Sequence, residues 1–194
     1  MKEVFLKHSL QLITANREWD EESLEKIRYG LEGIYLTIVK LVILLALAII
    51  LNIERLFLIN LVFFNILRFF AFGVHARNST QCLITSTVMF IIFPILSTSI
   101  DFPLPVQIII ASICVLLFLL YAPADTHKRP QKNRKKRQIR KAFAVTIAIV
   151  YVLLIIMLKD LSQIILCSLM TEAIMILPIT YHILGVPYKN HKFG

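Results

Sequence analysis

Charge is missing from long tracts of this 194-residue sequence. Residues 78–100, 102–124 and 142–158 contain no Asp, Glu, Lys or Arg. An uncharged run of about 18 or more residues can cross a ~30 Å hydrocarbon core as a helix. Strict apolar–polar alternation is missing too, which argues against the closed barrel, the other structure that lipid permits. With 58% hydrophobic residues and a mean hydropathy of +0.76, the chain is more apolar than soluble domains, which sit nearer half. The expected fold class is an all-α polytopic membrane protein.

Cysteine is scarce: the 3 present offer no disulfide framework. Cys114 and Cys167 fall inside apolar runs, where a thiol usually acts as a small hydrophobe. Cys82 stands apart, at a boundary beside polar residues. No His-x-x-x-His element occurs, and His8, His182 and His191 show no metal-ligand spacing. A zinc site built from His75, His127 and a carboxylate would lack that element, so no metal or organic cofactor is expected. Residues 1–32 are charge-rich and lack the apolar stretch of a secretory signal, so none is expected. There is no internal repeat and no sign of a second folded domain.

The net charge of +9 has one source. Lys128, Arg129, Lys132, Arg134, Lys135, Lys136, Arg137, Arg140 and Lys141 form a basic loop over 128–141, while the other basic residues balance the acidic ones. A basic run between two apolar spans is first a topology signal, so a nucleic-acid partner is not expected. The run marks the cytoplasmic side and suits anionic lipid heads.

Residues 1–32 read as an amphipathic helical segment, with Leu6, Leu10 and Ile13 on one face and Leu24, Ile27 and Leu31 on another after the acidic break at residues 20–22. Six apolar segments follow within residues 33–194, at 33–53, 56–72, 82–100, 106–122, 142–158 and 161–184. Lys40 and Arg68 lie near predicted span ends, within snorkelling reach of headgroups. Phe102-Pro103-Leu104-Pro105 suits a turn, and Lys159-Asp160 is a tight connection. With the basic loop in the cytoplasm, six spans put both termini and the 73–81 loop on that side, with Asp101 and Asp160 outside. His75, Cys82, Asp125 and His127 then share the cytoplasmic face.

The polar stretch from Gly73 to Cys82 could carry chemistry. Thiolate is a strong nucleophile, and histidine is suited to take the thiol proton near neutral pH. On one continuous helix His75 and Cys82 would be about 10.5 Å apart in rise, too far for a hydrogen bond. The segment must therefore bend, and Gly73 permits unusual dihedrals. If Ser79 or Thr80 caps the following helix, Cys82 sits in its first turn, where exposed amides favour an anion. Those amides, with the Gln81 side chain, could hold an oxyanion. On residues alone, an ordinary polar loop with a buried thiol remains the alternative.

Arg68-x4-Gly73-x-His75-Ala76-x5-Cys82, followed by Tyr121-Ala122-Pro123-Ala124-Asp125-Thr126 and Lys128-Arg129-Pro130, resembles the accessory gene regulator B family. These are membrane peptidases of Gram-positive peptide quorum sensing. The resemblance covers nearly the whole chain. It implies a cysteine endopeptidase that trims the C-terminal part of a small propeptide, with Cys82 as nucleophile and His75 as general base. It further implies a thioester acyl-enzyme, released by an internal thiol or hydroxyl as a thiolactone or lactone ring, and a homodimer. The chain departs from the family in having Phe72-Gly73 where many members have Gly-Gly, and His127 where lysine is frequent.

Three further residues carry alternatives. Asp125 could orient His75 as a triad carboxylate does, or cap a turn. Arg68 could bind a substrate carboxylate, brace the loop through a buried carboxylate, or snorkel. Glu172, read as near mid-membrane, is a candidate for an interhelical pair with Arg68 or Lys40, or for a role in substrate passage. The rival functions are a peptide exporter without proteolysis and a non-catalytic scaffold.

Overall fold

Proline, glycine and short polar interruptions set where the helices end in the computed structural model, which describes residues 2–14, 19–76, 78–125 and 133–188. Those residues are helical almost throughout, in nine α-helices with one π-helical turn and one 3-10 turn among the described residues. The chain divides into two compact units, residues 1–47 and 48–194.

In the first unit, α1 (Lys2–Thr14) and α2 (Glu21–Ile50) are joined by ion pairs, Lys2 with Glu32 and Arg28 with Glu3, and by the rings of Phe5 and Tyr35, 5.4 Å apart. These pairings bring the start of α1 against residues 28–35 of α2. The expected acidic break becomes a cap: the Asp20 carboxylate accepts from the Ser23 amide at 3.2 Å, and the Ser23 hydrogen bonds hold its carboxyl below the usual range. From there α2 runs unbroken for 30 residues. The boundary expected at 32/33 therefore lies inside a continuous helix.

The second unit contains α3 (Glu54–Ala71) and then α4 (Ser79–Thr87), a π turn (Val88–Ile92) and α5 (Phe93–Ser99) in one line. There follow α6 (Leu104–Tyr121), α7 (Arg134–Met157), a 3-10 turn (Lys159–Leu161), α8 (Ser162–Ile176) and α9 (Pro178–Ile183). At its centre is α8, packed against α3, α5, α6 and α7 and buried along most of its length. Its polar residues are paired inside the bundle. The Ser168 hydroxyl donates to Asn60 Oδ1 at 2.7 Å, and Asn60 Nδ2 donates to the Met89 carbonyl at 3.0 Å within the π turn.

Among the described residues, four helical segments are long and apolar enough to cross a membrane: Glu21–Ile50, Ser79–Ser99, Leu104–Tyr121 and Arg134–Met157. The expectation of six such spans is met only in part. With 18 residues, α3 is long enough but carries Glu54, Arg55 and Arg68. The expected span 161–184 is broken at Leu177-Pro178, leaving α8 with 15 residues, about 22 Å of helix. Proline supplies no amide for the next turn and disfavours helix in the residue before it. Glu172 consequently lies one turn from the end of α8 rather than near the middle of a long span.

Candidate active site

The break at Pro178 has a second consequence. It frees carbonyls at the end of α8, and the Met175 carbonyl accepts from the Val74 amide at 3.0 Å. Val74 belongs to the irregular stretch that follows α3, where the chain turns sharply. Phe72 adopts φ 59°, ψ −131° and Gly73 φ 120°, both in the region that favours glycine. A two-stranded contact holds the turn. Phe72 bridges Ala124 in parallel, the Gly73 amide donates to the Ala124 carbonyl, and the Ala124 amide donates to the Ala71 carbonyl, both at 2.8 Å. The segment ending α6, with its cis Ala122–Pro123 bond, is thus joined by backbone bonds to the segment that precedes His75. The two motifs, distant in sequence, meet here.

Arg68 completes the frame. One arm of its guanidinium donates to the Val74 carbonyl, and the other lies 3.4 Å from Glu172 Oε2. Both backbone groups of Val74 are engaged, and its side chain is fully buried. Gly73 is required by space as well as by dihedral: a Cβ there would stand 2.3 Å from Arg68 Nη1 and 3.1 Å from the Met175 carbonyl. The spacing Arg68-x4-Gly73 therefore records a contact, with the guanidinium occupying the volume a larger residue would take.

His75 follows Val74 and is exposed; Cys82 is half-buried in the first turn of α4. The helix cap is Asn78, one position before the expected Ser79 or Thr80. Its side chain accepts from the Gln81 amide at 2.8 Å and its carbonyl from the Cys82 amide at 3.0 Å. Asn is as good a cap as serine, because its short side-chain oxygen reaches the third amide of the helix. The amides of Gln81 and Cys82 are thus committed within the turn. The Gln81 side chain donates to the Leu184 carbonyl at 3.4 Å, tying α4 to the end of α9.

Asp125 is buried, and its backbone carbonyl, like that of Ala124, accepts from the Tyr181 hydroxyl at 3.1 Å. Its carboxylate lies within electrostatic reach of the Tyr181 and Tyr188 hydroxyls. Burial, then Tyr121 and Asp125 nearby, push the Tyr188 hydroxyl above its ordinary range. Cys114 and Cys167 are buried in α6 and α8. His127, Lys128, Arg129, Lys132 and His191 lie outside the described residues; the rest of the basic run opens α7, capped by the Asn133 side chain on the Lys136 amide at 3.1 Å.

Several participants were not anticipated from sequence. Tyr181 braces the Ala124–Asp125 segment, and Met175 receives the loop. Arg140 places its guanidinium over the Phe72 ring, 4.4 Å from the centroid. The position of Pro178, two residues after Ile176 in an otherwise apolar run, was the available signal for a freed carbonyl near Met175.

A family model described as Accessory gene regulator B matches residues 6–176, which include both motifs and Glu172. An AgrB-like protein of Clostridium acetobutylicum is 34% identical over 180 residues, covering 91% of this chain and 86% of that relative. The accessory gene regulator protein B of Staphylococcus aureus is 31% identical over 156 residues, covering 80% and 83%. An AgrB-like protein of Listeria innocua is 29% identical over 178 residues, covering 89% and 86%. No solved structure matches the chain.

Proposed function

The chain belongs to the accessory gene regulator B family, and on that premise we propose that it is a membrane-embedded cysteine endopeptidase that processes a quorum-sensing propeptide. Cys82 is the nucleophile and His75 the general base. The observation that carries this reading is the frame around the loop: the residue before His75 is held through both its backbone groups, while Cys82 sits in the first turn of a capped helix. A base must be held within hydrogen-bond reach of the proton it takes, and a fixed backbone is the precondition for that.

In this reading His75 takes the Cys82 proton and the thiolate sulfur attacks the scissile carbonyl. The tetrahedral intermediate collapses as the peptide C–N bond breaks, and the imidazolium returns the proton to the leaving amine. The acyl group remains on sulfur as a thioester. An internal thiol or hydroxyl of the bound peptide, giving up its proton to His75, then attacks that carbonyl and expels the Cys82 thiolate. The product is a thiolactone or lactone, and no bond is made at the expense of ATP. We assign Asp125 the orienting role toward His75, and the basic start of α7 the reception of the propeptide at the membrane surface. Six spans, with both termini and the site at the cytoplasmic face, and a homodimer complete the proposal. Its topological support is the basic run at the head of α7.

The test is a trapped acyl-enzyme. With the propeptide from the neighbouring reading frame, and its ring-closing residue replaced by Ala, a hydroxylamine-labile adduct should form on Cys82. Cys82→Ala and His75→Ala should each abolish cleavage. An adduct on Cys114 or Cys167, or cleavage by Cys82→Ala, would overturn the assignment. A peptide exporter would be indifferent to alkylation of Cys82.

A further inference from the structure

Arg68 is one turn from the end of α3 and Glu172 one turn from the end of α8. Among the described ion pairs theirs is the least exposed, with side chains 15% and 0% accessible. An arginine this near a span end can snorkel to lipid phosphate. Arg68 instead turns inward, and its planar fork divides between two acceptors. Fixing one arm of a rigid guanidinium places the other. A buried carboxylate with a single cationic partner usually stabilises less than an apolar residue of its size. Glu172 fits that description, because its second oxygen, Oε1, has no hydrogen-bond partner among the described residues. Stability alone is therefore a poor account of this carboxylate.

We propose that Glu172 is a positioning residue of the active site: it keeps Arg68 inside the bundle, so that the guanidinium stays on the Val74 carbonyl and fixes the backbone that presents His75 to Cys82. The inference rests on the reading of His75 and Cys82 as the reacting pair. Without Glu172 the guanidinium is free to leave for the headgroups, and the Val74 carbonyl loses its donor. The turn then keeps its backbone bonds, Val74 to Met175, Gly73 to Ala124 and Ala124 to Ala71, but nothing holds the carbonyl from which the chain runs on to His75. His75 loses its place while α3, α4 and α8 keep theirs.

Alkylation by iodoacetamide tests this without the natural substrate. Full-length protein in phospholipid nanodiscs is treated at neutral pH and each cysteine is followed by mass spectrometry. A thiol with no base in reach is only a few per cent thiolate at neutral pH, so Glu172→Leu and Glu172→Gln should slow alkylation of Cys82 about tenfold or more. Raising the pH to about 9.5, where any ordinary thiol ionises, should restore the rate. Cys114 and Cys167 should stay protected. Arg68→Lys supplies the second arm of the test, since it keeps a cation for Glu172 but has no fork to reach Val74; it should lose reactivity in the same way. If Glu172→Leu exposes Cys114 or Cys167, Arg68→Lys decides. Wild-type reactivity of Cys82 in Arg68→Lys, or in a folded Glu172→Leu, while His75→Ala is slow, would overturn the positioning role. Wild-type reactivity in His75→Ala would instead overturn the pairing of His75 with Cys82.

Discussion

Replacing Gly73 by Ala perturbs a single methyl group, and its effect can be worked from two contacts. The backbone at φ 120° is one that L-residues rarely adopt, and holding a non-glycine residue there costs about 1–3 kcal/mol. The added Cβ would also stand 2.3 Å from Arg68 Nη1. A guanidinium at the end of a long side chain can move, but here it moves only by leaving Glu172 and the Val74 carbonyl. A charge-assisted hydrogen bond contributes about 1.5–3 kcal/mol, so the combined cost is about 2.5–6 kcal/mol. Even about 2.5 kcal/mol changes the population of the correctly placed turn by roughly 70-fold. Cleavage in single turnover at saturating propeptide should fall by roughly 70-fold or more, with the protein still inserted. The partition between the two terms is measurable in a double-mutant cycle. In an Arg68→Ala background the steric term is gone, and Gly73→Ala should then cost only the dihedral term of about 1–3 kcal/mol. Strictly additive losses, or a Gly73→Ala protein as active as wild type, would refute the claim that Arg68 fills the space above Gly73.

Phe72 adopts a glycine-like conformation at φ 59° while its ring lies under Arg140. Thermal unfolding should rank wild type at or above Phe72→Gly, and Phe72→Gly above Phe72→Ala, because Ala keeps the strain and loses a cation–π contact of about 0.5–2 kcal/mol. Asn78→Ala should weaken α4 by about 1 kcal/mol through loss of the cap on the Gln81 amide; it should slow iodoacetamide at Cys82, and Asn78→Ser should restore the rate. A cysteine introduced at Asn133 should react with an impermeant maleimide only from the cytoplasmic side and one at Asp101 only from outside; labelling of both from one side would refute six spans.

The helices were legible because lipid and protein interiors ask the same thing of a sequence. The charge-free tracts 102–124 and 142–158 reappear within α6 and α7, each extended or trimmed by its local cap. A bend near Gly73 was expected on the premise that His75 and Cys82 pair, since they could not meet on a straight helix; the bend is there. Other features depended on partners remote in sequence. Nothing local to Asn78 ranks it above Ser79 or Thr80 as a cap, because all three are good capping residues; the choice follows from where the held turn releases the chain. Glu172 was read as lying at mid-span because residues 161–184 form one predominantly apolar stretch, and hydropathy cannot register a single proline that ends a helix.

That proline links the parts. An uninterrupted helix through Pro178 would commit the Met175 carbonyl to the amide of Ile179, four residues on. The break leaves it to the Val74 amide instead. The turn before His75 therefore borrows from α8 the bond that α8 gives up, and Glu172, on the same last turn, supplies the carboxyl partner of Arg68. A helix end and the turn before His75 complete each other's hydrogen bonding, which explains how a stretch with two residues at positive φ is held in one arrangement. The two motifs and the last helices thus form one structural unit, although sequence places Arg68 and Glu172 more than a hundred residues apart.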